Sequence, residues 1–565
     1  MKKILSLLLV ITTLLSYSQN QLHSPSEFLR YDIGEQFTRH ADVVQYFNHV
    51  AENSTRVTYK TYGKTNERRP LTYAIVSSEE NLKNIETIRL NNLKNVGIEE
   101  GTASPDIAIV WLSYNVHGNE ASATEAAMQT IYELITKNKE WLTNTVVIID
   151  PCLNPDGRDR YVNWYNQVKA TPFQVNQSAT EHHEPWPGGR PNHYLFDLNR
   201  DLAWATQVEA RERIKIYNLW MPHIHVDFHE QGINEPYYFA PAAEPFHEII
   251  TPWQREFQTQ IGKNHARYFD KEGWLFFTRE QFDLLYPSYG DTYPTFMGAI
   301  GMTYEQAGHG RAGLGIKTNE GFVLTLKDRI LHHTTTGLST VEISSKNAAK
   351  LNAEFKKFFV FPDLKYKSYI LNGEADKINV VCSLLDLHDI KYGFTKAQKL
   401  SGFNFKTNKP GSINANGALV VNTNQPKGNM VKVLFEPNTK LTDTLTYDIT
   451  AWGIPHAYGL DAIASSSLVP NNYKKEATLL ENTANPEGAG YIAKWNSIND
   501  AAFMADLLKQ KIKVRYSEKD FSNDSKLFKK GSLIITKSDN RKNPNYDKTV
   551  VDIANKHHRK LHSAT

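Results

Sequence analysis

The chain has 565 residues, 40% hydrophobic and 22% charged, with 64 basic against 61 acidic side chains and a formal net charge of +3. That length exceeds one ordinary core and suggests several domains, while the composition excludes a disordered chain. The near balance of charge gives no electrostatic ground for a nucleic-acid partner or a membrane surface, and two cysteines are too few for a disulfide scaffold.

Lys2 and Lys3 precede an apolar run over residues 4–15, and Ser16-Tyr17-Ser18 offers a small-x-small cleavage site. The run is too short to span a bilayer. Residues 1–18 are therefore read as a removed signal peptide, and the mature protein as periplasmic or secreted, without stable membrane insertion. Ser24-Pro25-Ser26-Glu27 has the form of a helix start, and residues 41–53 space their apolar side chains helically. From about Pro70 onward, short apolar runs alternate with amphipathic stretches. Strands are expected at 107–112, 146–150, 224–228 and 299–304, with a helix over 121–137. This alternation predicts an α/β fold, a mixed, largely parallel sheet flanked by helices.

The first domain, 19–362, is expected to close with a helix around 346–358, and Phe361-Pro362-Asp363 marks its boundary. Residues 363–565 read as a smaller α/β accessory region with a weak internal repeat. Tyr369-Ile370-Leu371, Leu384-Leu385, Ile390-Lys391-Tyr392 and Gly417-Ala418-Leu419-Val420 form one strand–helix–strand–strand unit. Tyr491-Ile492-Ala493, Leu507-Leu508, Ile512-Lys513-Val514 and Gly531-Ser532-Leu533-Ile534 form the other. The sequence stops at His562-Ser563-Ala564-Thr565, where a further strand is expected, which suggests a shortened form of a longer protein. Cys152 and Cys382 fall in different domains and read as unpaired thiols.

In α/β folds ligands bind beyond the carboxyl ends of the strands. His117, Asn154, His229 and Glu305 all stand where an expected strand has just ended. His117 and Glu120 lie in Tyr114-Asn115-Val116-His117-Gly118-Asn119-Glu120, a turn between a buried strand and a helix. Gly118 there gives the backbone freedom to aim both side chains at one point. A second His-x-x-Glu pair, His49 and Glu52, lies on a surface helix with no further ligand near it and reads as solvated polarity. A catalytic zinc needs a third protein ligand and an open position. Strand alternation puts His225, Asp227 and His229 on one face, and of these only His229 is at the strand end. His225 and Asp227 read as groups that orient the ligands, with a core histidine an equal reading for His225, and Glu230 is the lesser alternative to His229. Asn199-Arg200 adds a guanidinium suited to a substrate carboxylate, and Glu305 a spare carboxylate. Together these are the parts of a metal-assisted peptide hydrolase.

His117-x-x-Glu120, Asn154-Pro155-Asp156-Gly157, Asp197-Leu198-Asn199-Arg200, His229 and Thr303-Tyr304-Glu305 follow the order seen in the zinc metallocarboxypeptidases, and residues 25–345 resemble that family. The resemblance implies a carboxypeptidase-like catalytic domain with one zinc held by His117, Glu120 and His229. It further implies Glu305 as general base and then acid, and Asn199 with Arg200 on the C-terminal carboxylate of a peptide or protein. The family's oxyanion-stabilising Arg has no counterpart in residues 163–169; Arg158 and Arg160 are the substitutes, and Arg158 is chosen. For the family's mobile tyrosine, Tyr286 is chosen over Tyr289 and Tyr293. The pocket floor falls near Gly290-Asp291, where Asp291 would favour a basic side chain. Residues 310–315 and 182–191 are expected at the cleft rim. Two other functions share these residues: a zinc deacylase of N-acyl amino acids or hydrolase of cell-wall peptides, and a non-catalytic protein that binds the C-termini of polypeptides. The intact set of His117, Glu120, His229 and Glu305 weighs against the last.

Overall fold

The computed structural model describes residues 21–360, 364–443, 445–448, 451–472 and 481–564. The signal segment 1–18 and the boundary at 361–363 lie outside the described residues. The described residues fall into two compact units: one comprises those within Met1–Asp363, Leu387–Asp389 and Thr423–Trp452, the other those within Leu364–Asp386, Ile390–Asn422 and Gly453–Thr565.

In the first unit the described residues form an eight-stranded sheet: β1 (Val57–Lys64), β2 (Pro70–Val76), β3 (Ala108–Tyr114), β4 (Thr145–Asp150), β5 (Ile224–Gln231), β6 (Tyr237–Tyr238), β7 (Phe276–Phe277) and β8 (Ile300–Ala307). The strand order is β1-β2-β4-β3-β5-β8-β6-β7. The central run β4-β3-β5-β8 is parallel, while β1–β2, β2–β4 and β8–β6 are antiparallel. β3, β4 and β5 are buried along their whole length, as parallel strands covered on both faces must be. The covering helices include α1 (Ser122–Thr136), α2 (Pro155–Val168), α3 (Val208–Trp220), α4 (Pro252–Glu272), α5 (Leu326–Lys346) and α6 (Ala348–Phe358).

Local chemistry sets the helix ends. Ser24 and Glu27 form a capping box at the expected first helix, Thr251 and Gln254 another at α4, and Gly273 ends α4 at φ 72°. Val110, Leu112, Val147, Val226, Phe228 and Met302 meet in the core between sheet and helices.

β5 and β8 run three residues past the apolar stretches that mark them in the sequence. Their ladder continues from Tyr304↔Phe228 through Glu305↔His229 to Ala307↔Gln231, because backbone pairing is indifferent to the polarity of the side chains. His229 and Glu305 are therefore neighbours inside the sheet rather than residues of two separate loops.

Arg158, in the first turn of α2, is fully buried against Glu125 of α1, with Nη2 to Oε1 at 2.5 Å. Its guanidinium also donates to the carbonyls of Thr38 at 2.9 Å and Ala121 at 2.8 Å. The Glu125 carboxylate accepts in addition from Thr38 N and Oγ1, both at 2.7 Å. This pair ties α1, α2 and the N-terminal segment together beneath the sheet edge.

The segment 423–452, placed by the sequence in the accessory region, clusters with the first unit. Glu436 accepts from His247 at 2.7 Å, and the Tyr447 amide donates to Asp283 at 2.7 Å.

Among its described residues the second unit holds two larger sheets and the two-stranded ribbon Phe521–Asn523/Lys526–Phe528, all with antiparallel registered pairs. One contains the neighbours Gly393–Phe394, Leu419–Asn422 and Ser368–Asn372; the other contains Arg515–Tyr516, Leu533–Thr536 and Gly490–Ala493 in the equivalent order. Helices Ala375–Leu387 and Ile498–Lys509 follow the first strand of each set. Residues 390–392 and 512–514 precede the short strands that the sequence reading placed on them. His562–Ala564 pairs with Gly490–Ile492 as a further strand. Among the described residues no helix is long and apolar enough to cross a membrane, and Cys152 and Cys382 form no disulfide.

Replacing Arg158 by Met strands the Glu125 carboxyl in the interior and should cost about 3–5 kcal/mol of stability. Replacing both residues together (R158M with E125L) should recover most of that. Urea-unfolding midpoints of the wild type and the two variants check this.

Candidate metal centre and active site

Beyond β3 the backbone turns at Asn115, which adopts φ 63°, a left-handed conformation that Asn tolerates better than most residues. Its Nδ2 donates to the carbonyls of His117 at 2.6 Å, Gly118 at 3.2 Å and Glu120 at 3.0 Å. One side-chain amide thus shapes the turn that presents His117 and Glu120. The glycine between them serves a different purpose from the backbone freedom expected of it. A Cβ on Gly118 would lie 2.2 Å from Arg158 N and 2.5 Å from Gly189 O, so its role is close approach.

His117, Glu120 and His229 converge, buried, with one ligand atom of each within 4.8 Å of the others. His117 Nδ1 lies 2.8 Å from Glu120 Oε1, and His229 Nδ1 lies 3.0 Å from Glu120 Oε2. The two Nδ1 atoms are 3.2 Å apart. Behind them, His117 Nε2 meets Asp197 Oδ1 at 3.0 Å and His229 Nε2 meets Asp227 Oδ2 at 2.7 Å. A carboxylate behind a ring accepts its Nε2–H, which fixes the tautomer and leaves the Nδ1 lone pair facing inward. Two lone pairs and a carboxylate then point at one another, an arrangement that a central cation relieves. A two-nitrogen, one-oxygen donor set with room for a further ligand suits zinc. Among the described residues there is no other cluster of three such ligands; His49 instead accepts from the His23 amide at 3.0 Å on its helix.

The electrostatics have the same sense. Burial opposes charge on His229, yet Asp227 and Glu120 hold its pKa well above the ordinary imidazole range. Burial would raise Glu120, but His117 and His229 keep it well below the usual carboxylate range. Without a metal the centre attracts a proton to the place where a cation belongs. Asp227 keeps its position because residue 290 is glycine: a Cβ there would lie 1.9 Å from Asp227 Oδ2. The Gly290 amide in turn donates to Asn199 Oδ1 at 2.7 Å.

Glu305, beside His229 in the ladder, lines the same cleft. Burial pushes its carboxyl upward, with His229 opposing. Arg200 reaches the cleft from the short helical turn Leu198–Arg200. It donates to Asn199 O at 3.1 Å and lies 4.5 Å over the Tyr289 ring. Asp291 also lines the cleft; it accepts from Thr303 at 2.9 Å and Thr292 at 3.0 Å, and burial raises its pKa.

Two expected residues are elsewhere. Arg158, chosen for the oxyanion, is spent in the buried pair with Glu125 and does not line the cleft. Arg160 is not the substitute either, since it donates to the carbonyls of Gly188 at 2.8 Å and Asn192 at 3.2 Å. Tyr286, chosen as the mobile tyrosine, is buried and accepts from Trp204 at 2.7 Å; Tyr289 lines the cleft instead. Tyr293 is buried on His388. Glu230 is engaged by Ser122 and Arg329, so its carboxylate does not join the ligand cluster. His225 is a core histidine, held by Ser113 and Arg213 at 3.0 Å each.

Arg190 was missed. It lies in the rim segment 182–191, with Nη1 3.3 Å from Glu120 Oε1 and Nη2 3.0 Å from Asp197 Oδ2. Its backbone is fixed by the Asn154-Pro155-Asp156-Gly157 turn: Asn154 Nδ2 donates to Arg190 O at 3.1 Å while Asn154 Oδ1 caps α2 at Gly157 N. Gly157 and Gly189 touch closely enough that a Cβ on Gly157 would lie 2.3 Å from Gly189 O. The pair Gly188-Gly189 ahead of an Arg was the available sequence signal. Tyr447, also in the cleft lining, comes from a distant segment with no such signal.

Residues 43–219 match the family model described as zinc carboxypeptidase, and it is this part of the chain that is similar to the zinc metallopeptidases of that class. The match takes in His117, Glu120, Arg190, Asn199 and Arg200 but ends before His229 and Glu305. No curated protein matches. Among solved structures, a metallo-carboxypeptidase from Burkholderia cenocepacia is similar at 13% identity and TM-score 0.37, over 53% of this chain and 67% of that one. Thrombin activatable fibrinolysis inhibitor is similar at 13% identity and TM-score 0.39, over 59% and 82%. A metallo-carboxypeptidase from Pseudomonas aeruginosa, in complex with (2-guanidinoethylmercapto)succinic acid, is similar at 13% identity and TM-score 0.38, over 55% and 70%. At these values the likenesses add nothing to the geometry.

Asp197→Asn and Asp227→Asn each remove a carboxylate behind a ligand ring. Each should weaken zinc binding by about 10–100-fold, read by competition with a chelating indicator; wild-type affinity in both would contradict the orienting role.

Proposed function

We propose that the protein removes the C-terminal residue of peptides or proteins, using one zinc held by His117, Glu120 and His229. The observation that carries this reading is Arg200, with Asn199 behind it, facing the same cleft as the ligand cluster and Glu305. A planar guanidinium suits a terminal carboxylate, to which it gives two parallel hydrogen bonds. The cavity, about 170 Å³, is below the ~300–1,000 Å³ of sites that enclose drug-sized ligands. That size suits one terminal residue entering end-on.

Bound there, zinc would supply Lewis acidity, polarising a carbonyl and acidifying water at neutral pH. The protein side chains do the rest. Glu305, buried beside His229 and open to the cleft, accepts the proton of the attacking water and returns it to the departing amine. Arg190, with its guanidinium on Glu120, offers donors to the developing oxyanion. Asn199 and Arg200 hold the carboxylate and Tyr289 supports the Arg200 guanidinium. Asp291, with Asp283 nearby in the cleft lining, favours a basic terminal side chain. Lys2, Lys3 and the apolar run after them support export to the periplasm or beyond.

A mixture of peptides with free and amidated C-termini, analysed by mass spectrometry after incubation, tests this. Stepwise loss of single residues from free C-termini alone is expected; internal cuts, or equal loss from amides, would contradict it. Glu305→Gln should lower kcat by about 10²–10⁴-fold with zinc content unchanged. Arg190→Ala should lower it by about 10²–10³-fold, while a full-rate Arg190→Ala enzyme would remove Arg190 from the reaction.

A further inference from the structure

The proposed carboxylate clamp already holds a carboxylate. Arg200 Nη2 lies 2.9 Å from Asp448 Oδ2, and the Tyr289 hydroxyl donates to that same oxygen at 2.5 Å. A guanidinium and a phenol on one carboxylate oxygen is the arrangement expected around a substrate's terminal carboxylate. Asp448 is placed there by its own segment. The neighbouring Tyr447 amide donates to Asp283 Oδ2 at 2.7 Å, the Tyr447 ring packs 5.3 Å from Phe282, and Thr442 donates to Glu244 at 2.7 Å. Tyr447 itself lines the cleft, so this segment forms one of the walls that a substrate must pass.

We propose that Asp448 is a built-in competitor for the substrate's C-terminal carboxylate: it neutralises Arg200 in the resting protein and is displaced when a peptide binds. The proposal rests on the reading of Arg200 as the clamp. The arrangement is suited to exchange. The Arg200 and Asp448 side chains retain 28% and 35% exposure, and ion pairs open to water are weak enough to yield to a better-placed ligand. Arg200 does not need Asp448 for its position, since it is also held by Asn199 O and stacked on Tyr289. Asp448 therefore sets the affinity with which a free carboxylate is taken up, because such a ligand must displace it from Arg200.

The test is calorimetric binding to the zinc-loaded full-length protein in a Glu305→Gln background, so that peptide is not consumed. The probes are one peptide as the free acid and as the C-terminal amide. Adding Asp448→Asn, which keeps the shape and removes the charge, should tighten binding of the free acid by about two- to fivefold and leave the amide unchanged. Asp448→Ala should do the same. Adding Arg200→Ala instead should erase the preference for acid over amide. If Arg200→Ala erases it but neither Asp448 variant tightens acid binding, the competitor role is wrong and the clamp stands. If Arg200→Ala leaves the preference intact, the clamp and the competitor fall together.

Discussion

Two imidazole nitrogens and a carboxylate are held within hydrogen-bond distance of one another in a buried place, each ring pinned from behind by an aspartate. That enforced meeting of lone pairs is what the rest of the catalytic unit is arranged around. The Nδ1 atoms of His117 and His229, 3.2 Å apart, cannot both keep their inward lone pairs without a positive charge between them. Asp197 and Asp227 prevent the rings from turning away. A buried cluster of this kind is costly without a cation, so binding one there would add to the stability of the fold.

Bringing these groups together requires backbones to come closer than side chains permit. Gly118, Gly157 and Gly189 touch where the ligand turn, the start of α2 and the Arg190 segment meet, and Gly290 leaves space for Asp227. Asn115 and Asn154 then complete the arrangement with side-chain amides, one shaping the ligand turn and the other both capping α2 and fixing Arg190. Beneath them Arg158 and Glu125 lock the first turns of α1 and α2. An arginine near an active site can thus serve the scaffold while another, farther along the sequence, serves the cleft.

What the sequence revealed of this follows from which forces are local. Buried parallel strands are written in runs such as Val146 to Ile149, and polar groups near their carboxyl ends could be picked out by position, His117 after β3 and His229 and Glu305 towards the ends of β5 and β8, but not that the last two are paired inside the sheet. The exact strand ends were not legible, because the β5–β8 ladder continues through polar residues once pairing has begun. Nor were residues whose roles depend on long-range packing. Arg158 looks available in sequence, and only the burial of Glu125 reveals that it is committed. Tyr289 and Tyr286 stand three residues apart, and nothing local decides which faces the cleft. Tyr447 and Asp448 reach the cleft from beyond the expected end of the catalytic domain, because 423–452 packs with the first unit.

X-ray absorption at the zinc edge of the purified full-length protein tests the central claim most directly. One zinc per molecule is expected, with two imidazole nitrogens and carboxylate oxygen at about 2.0–2.2 Å and at least one non-protein ligand. Loss of one imidazole in His117→Ala or His229→Ala should accompany it. A protein that binds no zinc, or a zinc whose imidazole shell is unaltered by both substitutions, would contradict the account.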